Sequence, residues 1–415
     1  MPQGDFGVKG QKCTDPPKLS MLKQCHLFRS KPSQPLWNTE RLFLVFSRTD
    51  LTREYIDKAV VIAKGGILWD KFVELADTQG MTVLIYENIR KMEDYIAIPL
   101  FVKEQLEEKY FLAIAYTAMH YAQCKELISL LAKHDIAAVP LKGTFLSRRI
   151  YADTVKRGFT TDIDLFVRWY DRDKIHRLLG AQGYVFDGTA ETEQWLWQEG
   201  YANPAFPYGV DLIYDIWLRG RYPKALEGLW KGVRMATMEE GAVYYEFNEE
   251  ELLIYMAVHL VTSDNGYRCL RYICDIGEFL KYHSVDFENI VDKVKKWGVS
   301  SALYIALVST QRLSPGLVPR PVMERLRPGP VKRFAADVFF NPQELFTKNA
   351  PRRLMDYLLK DIFFELMEAR LVKEYGIVLA RIFMPPGQDR DKRAFIRRIA
   401  WGPLKVFNKL LCGKP

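Results

Sequence analysis

Cysteine is sparse and poorly spaced for chemistry. Cys13, Cys25, Cys124, Cys269, Cys274 and Cys412 form no CxxC pair, which argues against a zinc site or a disulfide framework and fits a reducing compartment. No apolar run approaches the roughly 18 residues a membrane span needs. The opening Met1-Pro2-Gln3-Gly4-Asp5 carries no hydrophobic signal region, so a cytoplasmic location is the expectation. Gly-x-Gly-x-x-Gly, Walker-type and Gly-x-Ser-x-Gly patterns are all missing, which leaves Rossmann, P-loop and α/β-hydrolase chemistry without support. There is no repeat of fixed period and no strongly low-complexity segment.

What is present is a chain of 415 residues, 48% hydrophobic and 27% charged, which suits two or three domains. Its net charge of +8 favours anionic partners: nucleotides, phosphosugars, nucleic acid or an anionic lipid surface. Residues 1–50 are rich in Pro, Lys, Ser and Gln and read as a poorly ordered arm. Residues 51–133 read as a helical region, with apolar positions at three- and four-residue spacing in 67–76 and again in 99–133. Residues 134–219 alternate short strands and helices, 220–314 read as a helical domain, and the five prolines of 315–330 read as a linker. Residues 331–415 read as C-terminal helices, about 351–372 and 374–383, followed by a basic tail. The fold expected is α+β, a small mixed sheet with flanking helices between helical N- and C-terminal regions.

The chemistry concentrates in the middle. Thr161-Asp162-Ile163-Asp164-Leu165-Phe166-Val167 sets two acids two apart on a strand, hence on one face. Two carboxylates at the exposed end of a buried strand suit a hard divalent cation such as Mg²⁺ (or Mn²⁺). Val210-Asp211-Leu212-Ile213 offers a third acid in a strand-like run. Asp215, four residues on, shares its face and is the rival candidate. Cys269 and Cys274 read as core thiols, His259 as a core histidine and Asp275 as a cap or a partner of Arg271.

Leu141-Lys142-Gly143, Tyr151, Asp162 to Val167, Gly183-Tyr184 and Val210-Asp211-Leu212, in that order, resemble a family of uncharacterised nucleotidyltransferases in the DNA polymerase β-like superfamily. The resemblance spans about residues 65–313. It implies a nucleotidyltransferase-type sheet and a metal-dependent transfer of NMP from an NTP to a hydroxyl acceptor, with release of pyrophosphate. Asp162, Asp164 and Asp211 would be the catalytic and metal-binding residues, and Lys142, Gly143, Thr144 and Arg157 the nucleotide-binding ones. This chain departs from the family in three places. Arg157 stands five residues before the first acid rather than four, Gly143-Thr144 replaces Gly-Ser, and Ile213-Tyr214 stand where the family often has histidine and tryptophan. The competing readings are a DxD-type glycosyltransferase using a nucleotide sugar and a degenerate, non-catalytic binding scaffold on the same fold. The acceptor is open, and no motif points to nucleic acid. Arg390 to Lys409 carry seven basic residues against one acid, which reads first as a terminal helix packed on the helical domain with a solvated basic face. Its rivals are a helix in peripheral contact with the inner face of an anionic membrane and one docked on an acidic partner.

Overall fold

The computed structural model describes residues 34–158, 160–187, 198–215, 222–238, 243–262, 269–330 and 333. The chain opens with α1 (Gln34–Phe46), α2 (Arg53–Ala63), α3 (Trp69–Thr78), α4 (Thr82–Met92) and the long α5 (Leu100–Ala132). Then come β1 (Ala138–Pro140), α6 (Gly143–Tyr151), β2 (Asp162–Val167), α7 (Arg172–Ala181), β3 (Val185–Phe186), β4 (Gln198–Ala202) and β5 (Gly209–Ile213). The rest is α8 (Pro223–Lys231), a hairpin of β6 (Val233–Thr237) and β7 (Val243–Phe247), α9 (Glu249–Thr262), α10 (Leu270–Tyr282), α11 (Phe287–Trp297), α12 (Ser300–Leu313) and α13 (Arg320–Leu326). The fold is α+β, a mixed five-stranded sheet flanked by helices.

The sheet runs β1-β2-β5-β4-β3. Only β2 and β5 are parallel; every other pair is antiparallel. Alternation along β2 divides its residues between two cores. Ile163, Leu165 and Val167 face a cluster built with α5 and α7, while Phe166, with Val139 and Ile213, faces the larger helical cluster that includes α9 and α10. Asp162 and Asp164 share the parity of Phe166, so both acids point to the α9–α10 side. On the opposite face β4 is braced by Glu199, whose carboxylate accepts from Arg172 Nε at 2.7 Å, Tyr214 Oη at 2.7 Å and His176 Nε2 at 3.2 Å.

Two boundaries differ from the sequence reading. Within the expected arm, α1 is core: Leu42, Phe43 and Phe46 are fully buried, with Phe43 edge-on to Phe72 at 5.6 Å. Within the expected linker, α13 docks through Val318, Val322 and Leu326. Pro319 is its N-cap and Pro321 falls in its first turn, where no intrahelical N–H bond is lost. Residues 1–33, the helices expected at 351–372 and 374–383, and the basic tail lie outside the described residues. Among the described residues, no helix is long and apolar enough to cross a membrane.

Candidate active site

The parallel pairing of β2 with β5 builds the site. In its register Asp164 stands opposite Asp211, and Asp162 opposite Gly209 at the strand ends. One carboxylate oxygen from each of Asp162, Asp164 and Asp211 lies within 4.8 Å of the others. Asp215 falls beyond the end of β5 and takes no part in this cluster.

Charge crowding and burial shape the acids. Asp164 is buried, and that burial, with Asp162 beside it, holds its carboxyl above the usual range despite Lys142. Asp211 is pushed up to about 7, first by burial and then by the charges of Asp164 and Asp162. Oδ1 of Asp164 accepts from Lys142 Nζ at 2.7 Å. Oδ2 is buried with no hydrogen-bond partner among the described residues, and a buried carboxylate oxygen left so is a ligand position in want of a donor or a cation. Asp162 accepts from Thr160 Oγ1 at 3.0 Å. Burial alone would lower the Lys142 ammonium, but Asp164 more than offsets this and holds it above its ordinary value.

Lys142 is the N-cap of α6, and Gly143 is its first residue, at φ +63°. The opening amides of α6 have no intrahelical acceptor and carry the positive end of the helix dipole. His120, on the buried stripe of α5, fixes this corner. Its Nε2 lies 3.1 Å from the Asp162 backbone oxygen and its Nδ1 3.3 Å from Thr144 Oγ1. The backbone oxygen can only accept, so Nε2 carries the proton and Nδ1 accepts from Thr144. Burial lowers the proton affinity of His120, consistent with that neutral form. The ring fills the space above Gly143, where an added Cβ would lie 2.4 Å from His120 Cε1. Gly143→Ala is therefore expected to destabilise the fold by about 1–3 kcal/mol, through both clash and positive φ, read as a lower urea midpoint at unchanged slope.

Arg157, expected at the nucleotide, sits in a buried ion pair. Its Nε donates to Asp275 Oδ2 at 2.8 Å, and Tyr151 Oη donates to Asp275 Oδ1 at 2.9 Å. Asp275 thus pairs with Arg157 rather than with Arg271, and locks the loop before β2 onto α10. Arg157 still acts on Asp164 through its charge. His259 lies between Tyr255 and Tyr272, stacked on the first and edge-on to the second. Cys269 is buried and Cys274 partly so, both as free thiols. Sequence reasoning missed His120. The signal available was a histidine on the apolar face of α5, which by itself looks like any buried histidine.

Residues 65–315 match the family described as "Uncharacterised nucleotidyltransferase". The match supports a general role in nucleotidyl transfer, and the three aspartates are compatible with it. No curated protein matches the chain.

Proposed function

We propose, for a chain that belongs to the uncharacterised nucleotidyltransferase family, the transfer of a nucleoside monophosphate from an NTP to an acceptor hydroxyl, with Mg²⁺ or Mn²⁺ as cofactor. The observation that carries this reading is the convergence of three carboxylates on neighbouring parallel strands. The unpartnered Asp164 Oδ2 and the all-oxygen donor set fit a hard divalent cation. Ions held by Asp162, Asp164 and Asp211 would supply electrostatic stabilisation of the attacking and leaving oxygens.

The chain's own residues divide the remaining work. The acceptor oxygen bonds to the α-phosphorus, the bond from that phosphorus to the pyrophosphate oxygen breaks, and Asp211 takes the hydroxyl proton on its way to solvent. Gly143, with no Cβ, and the first amides of α6 receive the triphosphate. Lys142, held on Asp164 at 2.7 Å, adds positive charge at the same corner. His120 holds Thr144 and the Asp162 backbone in fixed relation, so the phosphate corner and the acids move as one unit.

The test is pyrophosphate release from each of the four NTPs with a mixed acceptor pool. Release that requires Mg²⁺ or Mn²⁺ and stops with chelator is expected. Release unaffected by chelator, or none with any NTP, contradicts the reading.

A pH effect follows from Asp211. Its carboxyl rises from an ordinary value of 3.8 to about 7 in the folded, metal-free protein. Between these values the folded state binds the proton that the unfolded state has lost. Stability from this group is therefore complete below the lower value and lost as pH rises through the upper one. Thermal melts of the metal-free protein are expected to fall across that window, and saturating Mn²⁺ to flatten the trend, since metal binding displaces the same proton.

A further inference from the structure

The register of the sheet extends the acidic face beyond the three expected residues. Asp164 is opposite Asp211, and Asp211 is opposite Gly200. Phe186 pairs with Tyr201, and the Asp187 backbone N–H donates to the Gly200 oxygen at 3.1 Å. A row therefore runs across β2, β5 and β4 to the residue just after β3, at about 4.8 Å per step: Asp164, Asp211, Gly200, Asp187. The glycine in that row has a visible use. A Cβ at Gly200 would lie 2.4 Å from Asp187 Oδ2 and 2.6 Å from Oδ1. The Asp187 carboxylate occupies the space a side chain would take over Gly200, the residue opposite Asp211, and adds to the negative surroundings of Asp211.

The row has a direction. Lys142 and Gly143 follow β1, on one side of the metal-binding acids, and Asp187 lies on the other. If the triphosphate takes the Lys142 side, as the proposed function has it, the acceptor enters beside Asp187. Asp187 is exposed and forms no ion pair among the described residues, and it lies outside the three-acid cluster. The buried, unpartnered Asp164 Oδ2 at the other end of the row marks the same face as built for ligands.

Resting on the nucleotidyl-transfer reading, we propose that Asp187 is an acceptor-binding residue and that the acceptor carries a protonated amine near its reacting hydroxyl. An anionic acceptor would meet the negative charge of Asp187, which lies outside the metal-binding cluster, and be repelled. A neutral polyol would leave Asp187 without a counter-charge.

Three compounds on one three-carbon frame separate these cases: 2-amino-1,3-propanediol, glycerol and glycerol 3-phosphate. Binding is measured by ligand-observed NMR on the full chain with Mg²⁺, with and without a non-hydrolysable NTP. The amine is expected to bind about fivefold more tightly than glycerol, as an exposed ion pair supplies, with the phosphate weakest. Asp187→Asn should erase that preference without changing NTP affinity, and Asp187→Glu should restore part of it. Equal binding of amine and glycerol to the wild type, or a preference that survives in Asp187→Asn, overturns the proposal. So does a loss of one bound Mn²⁺ in Asp187→Asn, which would make it a metal ligand. The NTP arm is read separately: failure of the wild type to bind NTP defeats the proposed function, whatever the amine does.

Discussion

Asp162→Asn is expected to cut metal-dependent pyrophosphate release by roughly a thousandfold while melting close to wild type. The amide keeps an oxygen for Thr160, and the Lys142–Asp164 pair is untouched. Asp164→Asn should lose activity to the same degree but also lose stability, because it strips Lys142 of its counter-charge. The Lys142 side chain keeps 19% of its exposure, which puts the penalty near the low end for a broken buried pair, about 3 kcal/mol. Adding Lys142→Met should recover the melting temperature and leave the activity lost. Turnover and melts of the three proteins check this. Wild-type turnover in Asp162→Asn would remove the carboxylates from the mechanism.

Asp275→Ala is expected to be the most destabilising single change near the site. The Arg157 and Asp275 side chains are 1% and 2% exposed, so deletion leaves a guanidinium buried without its partner, at about 3–5 kcal/mol. Because Arg157 is held by Asp275, Arg157→Met is expected to act mainly on stability, with only a small change in NTP affinity. The double variant Arg157→Met/Asp275→Leu should regain much of what Asp275→Ala loses. Urea unfolding of the variants, paired with NTP titration, separates the two roles. A normal urea midpoint together with a large loss of NTP affinity in Arg157→Met would return that residue to the nucleotide.

The central strands and their acids were legible because they obey local rules. Asp162-Ile163-Asp164 alternates acid with apolar and runs on into apolar Leu165-Phe166-Val167, and β5 sets one acid, Asp211, in a similar apolar run. Helices α10 and α11 show the same legibility through their 3.6-residue spacing, whereas α9 is legible as an apolar run buried nearly all round. What stayed hidden depends on partners far away in the chain. Gln198–Ala202 has little strand propensity, so β4 and the row it completes become visible only through register. The Arg157–Asp275 pair joins residues 118 apart in sequence, and composition offers no sign of it. α1 and α13 sit in proline-bearing stretches whose average character masks a few apolar residues at helical spacing. His120 takes its role from the corner that α5 presses against, not from its neighbours in the sequence.

The most direct measurement of the central claim is the anomalous signal of Mn²⁺ in crystals of the wild-type protein, collected with and without a non-hydrolysable NTP. At least one peak is expected at coordination distance from carboxylate oxygens of Asp162, Asp164 and Asp211 together, and absent in Asp162→Asn/Asp164→Asn crystals. Peaks confined to other parts of the surface, with Lys142 still on Asp164, would contradict it.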